Sequence, residues 1–118
     1  WLPDARHPEN LPERVEAYRQ VHPNLCLHAI GYPKPDKLTA MIKRGRVAFG
    51  MKGVGDGQDT EASRAILDVL RKDDTRPVWV TVWGGSLDLG QALWDLRKES
   101  TPSEVDKIIS RLRIYDIA

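Results

Sequence analysis

The run Pro77-Val78-Trp79-Val80-Thr81-Val82-Trp83 constrains this chain more than any other segment. Every residue after the proline is β-branched or aromatic, the composition that suits a pleated strand. Alternate side chains of a strand point to opposite faces, so Val78, Val80 and Val82 share one face and Trp79, Thr81 and Trp83 the other. Neither face is polar enough for water. A strand that is apolar on both sides belongs to a parallel sheet between helical layers, and this predicts core positions for Trp79 and, in the helix that follows, Trp94. Gly84-Gly85 turns the chain sharply, and Leu89, Ala92, Leu93 and Leu96 then fall on one helical stripe. Thr101-Pro102-Ser103-Glu104 has the form of a capping box with proline at the first helical position. Val105, Ile108, Ile109 and Leu112 carry that short helix inward, and residues 113–117 read as the next strand. Strands separated by helical crossovers give an α/β fold with parallel pairing.

Upstream, Trp1-Leu2-Pro3-Asp4 and His7-Pro8 read as loop. Asn10 with Glu13 resembles a capping box, and Leu11, Val15, Tyr18 and Val21 make a helical stripe that Pro23 should end. Residues 25–30 are then expected to be extended, and Gly31-Tyr32-Pro33-Lys34-Pro35 a stiff turn. Asp36 is expected to cap a brief helix with Leu38, Met41 and Ile42 inward, closed by Gly45. Five glycines at 45, 50, 53, 55 and 57 predict an irregular loop over residues 45–59, a length often associated with function. Asp59 or Thr60 then caps a helix with Ile66, Leu67 and Leu70 on its inner face.

Composition narrows the functional classes. A net charge of +1 supplies no basic field for a nucleic-acid backbone, so no nucleic-acid partner is expected. No apolar run approaches the ~20 residues that cross a bilayer, so no membrane partner is expected either. Cys26 is the lone cysteine, which excludes an internal disulfide and a cysteine-based zinc site. The chain opens on Trp1 with no signal-peptide pattern and stops on a strand. Both ends therefore read as cuts, residues 1–118 being the central part of one domain. Oligomeric state and localisation are not legible, and a secreted or periplasmic parent is compatible with the residues.

In open α/β sheets ligands bind beyond the carboxyl ends of the strands. That rule selects Trp83, Gly84, Gly85 and Asp88, with Asp116 at the end of the second strand. The glycine pair before a helix can present N–H groups to an anion, or can serve only as a packing turn. Asp56 and Asp59 lie in the glycine-rich loop, where carboxylates can meet a metal or a sugar hydroxyl, although the spacing is not that of an EF-hand. On spacing alone Asp59 reads first as a helix cap. His7, His22 and His28 show no ligand spacing, and Ser86 lacks the G-x-S-x-G elbow of a serine nucleophile. Trp83, at the strand tip, is placed to wall a pocket.

Several blocks resemble the bacterial and fungal cellulose-binding proteins with a nucleoside-hydrolase-like domain. They are Trp1-Leu2-Pro3-Asp4, Ala17-Tyr18, His22-Pro23-Asn24-Leu25, Gly31-Tyr32-Pro33, Gly53-Val54-Gly55, Gly57-Gln58-Asp59-Thr60 and the run from Arg76 through Gly85. Gln91-Ala92-Leu93-Trp94-Asp95-Leu96-Arg97 and Leu112-Arg113-Ile114-Tyr115-Asp116-Ile117 complete the series. The resemblance runs over nearly the whole chain with the blocks in order. It implies a Rossmann-like parallel sheet flanked by helices, incomplete at both ends. It also implies a small-molecule nucleoside or carbohydrate partner and a Ca²⁺-dependent site for cleaving N-glycosidic bonds, in which the metal lowers the pKa of a bound water. Within that analogy the Trp83 backbone carbonyl corresponds to a metal ligand, and Asp59, Gly84, Gly85 and Asp88 line the substrate site.

The chain departs from the true nucleoside hydrolases at informative places. Their aspartate cluster would lie before Trp1 and their last acidic ligands beyond Ala118. Leu87 and Asp88 stand where an Asn and a Thr follow the glycine turn, and Asp56 stands where a histidine is common. Three readings follow: a glycosidic-bond hydrolase represented by a fragment inactive alone, a non-catalytic cellulose-binding module that kept the fold, and a structural fragment with no stable fold alone.

Overall fold

The computed structural model describes residues 9–48 and 50–117, so the loop expected over the first eight residues lies outside the described residues. The chain parts into two compact units, Trp1–Lys43 and Arg44–Ala118.

In the first unit, α1 spans Asn10–His28 and α2 spans Pro35–Met41. Pro23 does not end α1; it lies inside it, and residues 25–28 are helical rather than extended. The half-buried positions explain why. Val15, Tyr18, His22 and Leu25 recur at three- and four-residue spacing straight across the proline, so one continuous stripe outweighs the single backbone bond that proline removes. Val21, expected inward, is exposed. The Asn10 cap is also absent, since Glu9 occupies the N-cap position without a side-chain bond. The Tyr18 hydroxyl donates to the Pro33 carbonyl at 2.8 Å, fastening the turn between the helices. In α2, Lys34 is the N-cap and Pro35 the first helical residue, which moves Asp36 from cap to first turn. The helix closes at Ile42, not at Gly45.

The second unit contains a short 3₁₀ turn at Met51–Gly53, then α3 (Glu61–Leu70), β1 (Val78–Val82), α4 (Leu87–Glu99), α5 (Pro102–Ile109) and β2 (Leu112–Asp116). Thr60 begins α3 with a capping box: its hydroxyl accepts from the Ser63 N–H at 2.9 Å, and the Ser63 hydroxyl accepts from the Thr60 N–H at 2.9 Å. Thr101 and Glu104 form the expected box at the start of α5, with Pro102 as first helical residue. Leu67, Ala92 and Leu96 are the centre of the core, and Ile66, Leu93, Val105 and Ile108 pack around them. Full burial of a leucine side chain stabilises by roughly 1.5–3 kcal/mol, so Leu67 and Leu96 hold α3 and α4 together.

β1 and β2 pair in parallel, as expected, with Val78 opposite Leu112 and Val82 opposite Asp116. The Val78 N–H donates to the Arg111 carbonyl and the Ile117 N–H to the Val82 carbonyl, which extends the ladder at both ends. The fold is therefore α/β with a parallel sheet and helical crossovers.

One expectation about β1 fails. Val82 is buried and Val78 and Val80 are half-buried, yet Trp79 is 67% exposed and Thr81 is exposed. The alternating pattern reports how apolar each face is, and among the described residues only the valine face is covered. Among the described residues, then, Trp79 is exposed rather than packed in the core. Trp94 is half-buried, with the Lys98 ammonium 4.9 Å from its ring centroid in the arrangement of a cation–π contact.

Candidate functional site

Parallel pairing brings the carboxyl ends of β1 and β2 to the same side of the sheet. Trp83 follows β1 directly and is 72% exposed. Gly84 adopts φ +110°, a conformation that a residue with a Cβ rarely takes. A Cβ at Gly85 would meet nothing within 4 Å, so this turn is open. Ser86 then starts α4 without using its side chain as a cap. Tyr115 of β2, opposite Thr81 in the register, is 54% exposed. The tip is therefore an exposed indole next to an unobstructed glycine turn.

Asp88, in the first turn of α4, does not stand free at that tip. Its carboxylate accepts from the Arg46 N–H at 3.1 Å through both oxygens and from the Thr60 hydroxyl at 2.5 Å. Carboxylates gain at a helix N-terminus from the aligned peptide dipoles, and this one also fastens residues 46 and 60 to α4. Gly45 is part of the same device. A Cβ there would overlap Asp88 Oδ2 and lie 3.0 Å from its Cγ, so glycine is favoured by close approach rather than by unusual φ.

Asp59 lies next to Thr60 and is joined to Arg64 at 3.1 Å. A second acidic residue, one that sequence reasoning left aside, is Asp95 of α4. Asp95 is 4% exposed and projects from α4 one turn after Gln91, itself 1% exposed. Gln91 is fully committed. Its Oε1 accepts from the Gly55 N–H at 2.8 Å, and its Nε2 donates to the Gly55 carbonyl at 3.0 Å and to Asp95 Oδ1 at 3.1 Å. Burial, followed by the neighbouring Asp59, raises the Asp95 pKa above the ordinary carboxylate value. Asp59 is lowered, chiefly by its hydrogen bond with Asp95 and then by the Arg64 charge. Gln91 and Asp95 were visible as polar residues at i, i+4 beside the Leu89, Ala92 and Leu96 stripe, and two polar side chains on an inward face were the available signal.

Of the residues selected from sequence, the structure brings Asp88 and the Asp59–Thr60 cap together, with Thr60 as the shared contact. Both aspartates are engaged with the glycine-rich loop and α3. Asp56 lies apart from them in an ion pair with Lys98.

A calcium ion takes six to eight oxygen ligands. Trp83 offers one carbonyl, both Asp88 oxygens are occupied, and the described residues contain no group of three or more His, Cys, Asp or Glu side chains arranged to hold a metal. The residues described here do not by themselves fit a calcium shell.

A separate cleft of about 360 Å³ opens at the other end of the strands, lined by Arg71, Asp74, Glu104, Lys107, Ile108 and Arg111 among others. Most of its charges are internally answered. Arg71 pairs with Glu99 at 2.8 Å, Asp74 with Arg76 at 2.5 Å, and Arg111 donates to the carbonyls of Leu70, Lys72 and Asp74. That cleft reads as structural.

Comparison with known proteins agrees with this architecture. No curated protein matches the chain. A solved structure is similar, with a TM-score of 0.88 and 38% sequence identity over 95% of this chain. That structure is a nucleoside hydrolase-related hypothetical protein from Saccharophagus degradans that is associated with carbohydrate metabolism, and the chain spans 27% of its length. The family model described as cellulose-binding Sde182, nucleoside hydrolase-like domain, matches residues 1–118. The chain belongs to that cellulose-binding, nucleoside hydrolase-like family.

Proposed function

We propose that this chain contributes a carbohydrate-binding surface at the carboxyl tips of β1 and β2, with Trp83 as the platform on which a sugar ring stacks. The single observation behind this reading is the exposure of Trp83 immediately before an open Gly84–Gly85 turn. A pyranose presents one face of C–H groups and a rim of hydroxyls. An indole matches the first through its apolar ring, and N–H groups at the turn and at the start of α4 suit the second. Ligand position beyond the ends of parallel strands follows the general rule for such sheets. The family description and the carbohydrate association of the similar structure support the same ligand class. Gly84 and Gly85 act in this reading by leaving the approach clear. Asp88 acts by holding the glycine-rich loop against α4, and Asp59 by its ion pair with Arg64 of α3.

The second reading is calcium-assisted hydrolysis of an N-glycosidic bond in a nucleoside. It is favoured by the strand tip itself, because the Trp83 carbonyl accepts no backbone hydrogen bond from the described residues. Since the described side chains do not complete a calcium shell, no reaction step is assigned to them through the metal.

Depletion from solution by microcrystalline cellulose, with calorimetry on cello-oligosaccharides, tests the first reading. One stacked aromatic contact contributes ~1.5 kcal/mol, so Trp83→Ala should weaken binding about tenfold while the thermal melt is unchanged. Undiminished binding by that variant removes Trp83 from the site. Calcium-dependent release of free base from nucleosides, with no retention on cellulose, would favour the second reading over the first.

A further inference from the structure

We infer that Asp116 is the polar half of the site at the strand tips: its carboxylate accepts hydroxyl groups of the sugar that stacks on Trp83, and its charge selects neutral carbohydrates over acidic ones. The inference rests on the carbohydrate reading of Trp83 and deepens it by naming the ligand class. It starts from placement. Asp116 is the last residue of β2, stands opposite Val82 in the register and is exposed. The Ile117 N–H donates to the Val82 carbonyl at 3.1 Å, so the chain leaving Asp116 is still held against the end of β1. Neighbouring strands lie ~4.8 Å apart and a strand rises ~3.3 Å per residue, which puts the Asp116 and Trp83 backbones about 6 Å from one another. One sugar residue can meet both side chains across that separation.

The second observation is that this carboxylate is uncommitted. Among the described residues it enters no ion pair and no side-chain hydrogen bond. The other aspartates singled out from sequence are engaged elsewhere: Asp88 with the Arg46 N–H and the Thr60 hydroxyl, Asp59 with Arg64, and Asp56 with Lys98. An ionised carboxylate only accepts hydrogen bonds, and the donors that a neutral sugar brings are hydroxyls. Such charge-assisted bonds are stronger than those between neutral groups. Stacking on an indole leaves a pyranose free to rotate in its own plane. Two carboxylate oxygens receiving adjacent hydroxyls of one ring remove that freedom, the usual task of the few polar groups in a ligand site.

Charge at the tips decides the class. The N-terminus of α4 carries the positive end of a helix dipole, which by itself would favour an anion. Asp88 in the first turn already answers it. Residues 82–90 and 114–117 contain Asp88 and Asp116 and no lysine or arginine. The tips therefore hold negative charge, and an acidic sugar brought beside Asp116 meets a like charge. At contact distance that repulsion weakens binding about fivefold in bulk water, and more at a protein surface.

The test is calorimetry of the full chain with two ligands, a cello-oligosaccharide and the same oligomer with its primary hydroxyls oxidised to carboxylates. The unaltered chain should bind the neutral oligomer at least about fivefold more tightly. Asp116→Asn keeps the size of the side chain and removes its charge. It should weaken the neutral oligomer about tenfold and abolish the preference between the two, with an unchanged thermal melt. Trp83→Ala should weaken both ligands alike. Equal affinities for the two oligomers in the unaltered chain, or an Asp116→Asn variant with unaltered affinities, would overturn the inference. If Trp83→Ala still weakens binding in that case, the carbohydrate reading stands without Asp116. Undiminished binding by Trp83→Ala removes the platform and the inference with it. A loss of binding by Asp116→Asn that comes with a lowered melting temperature makes the carboxylate a structural group, and overturns the inference too.

Discussion

Replacing Gly45 with alanine tests whether close approach, and not backbone conformation, fixes that glycine. Its φ is not positive, so alanine fits the backbone and by itself stabilises by ~0.4–1 kcal/mol through a less free unfolded chain. The new methyl group, however, occupies the place of Asp88 Oδ2. The carboxylate must rotate away from the Arg46 N–H and the Thr60 hydroxyl. Hydrogen bonds to a charged group contribute ~1.5–3 kcal/mol each, and with the site half-buried the lower end applies, so losing both costs roughly 3 kcal/mol. Gly45→Ala should therefore destabilise by about 2 kcal/mol net, read as a lower urea midpoint at unchanged slope. The decisive comparison is the double-mutant cycle with Asp88→Ala. Without the carboxylate there is nothing to displace, so Gly45→Ala should become neutral or slightly stabilising in that background. An equal penalty in both backgrounds would refute the reasoning, because it would place the strain in the backbone or in another neighbour.

Three other outcomes follow from the same structure. Leu96→Ala empties a fully buried position between α3 and α4 and should cost about 2–5 kcal/mol in denaturant unfolding. Thr101→Ala removes the cap that accepts from the Glu104 N–H and should cost ~1 kcal/mol, measurable as a lower melting temperature. Asp74 is held well below its ordinary value of 3.8 by hydrogen bonds from the Arg76 guanidinium and N–H. Its contribution is present above 3.8 and lost as pH falls through the lower folded value, so Arg76→Ala should move the Asp74 carboxyl titration back toward 3.8 by NMR.

What was legible in the sequence was what short stretches decide alone. The capping box at Thr101–Glu104 and the Thr60 cap lie within four residues of chain, and both form. The parallel pair was legible because a helical stripe separates two apolar runs and leaves few other connections. Pro23 misled because proline weighs heavily in a local reading, whereas the stripe from Val15 to Leu25 needs the whole helix to be seen. Trp79 misled for a different reason: residue type measures the apolarity of a face and says nothing about which element lies over it. The link between Gln91 and Gly55 was hidden by separation along the chain. A polar residue on the inner face of α4 was visible, but its partner depends on how the glycine-rich loop folds back, and five glycines leave that path undetermined locally.

Arg111 shows where the geometry of the sheet is decided. One guanidinium reaches the end of α3 and the turn before β1, while the carbonyl of the same residue receives the Val78 N–H at 3.0 Å. Alignment of the two strands is thus set at their amino ends, by contacts that leave the glycine turn after Trp83 uninvolved. At the opposite end the register rests on backbone pairing, the Ile117 N–H donating to the Val82 carbonyl. New side chains or loop lengths around residues 83–86 should accordingly alter what the protein recognises without unzipping the strands, whereas a change at Arg111 would shift both strands at once. The scaffold is anchored at one rim and open to revision at the other.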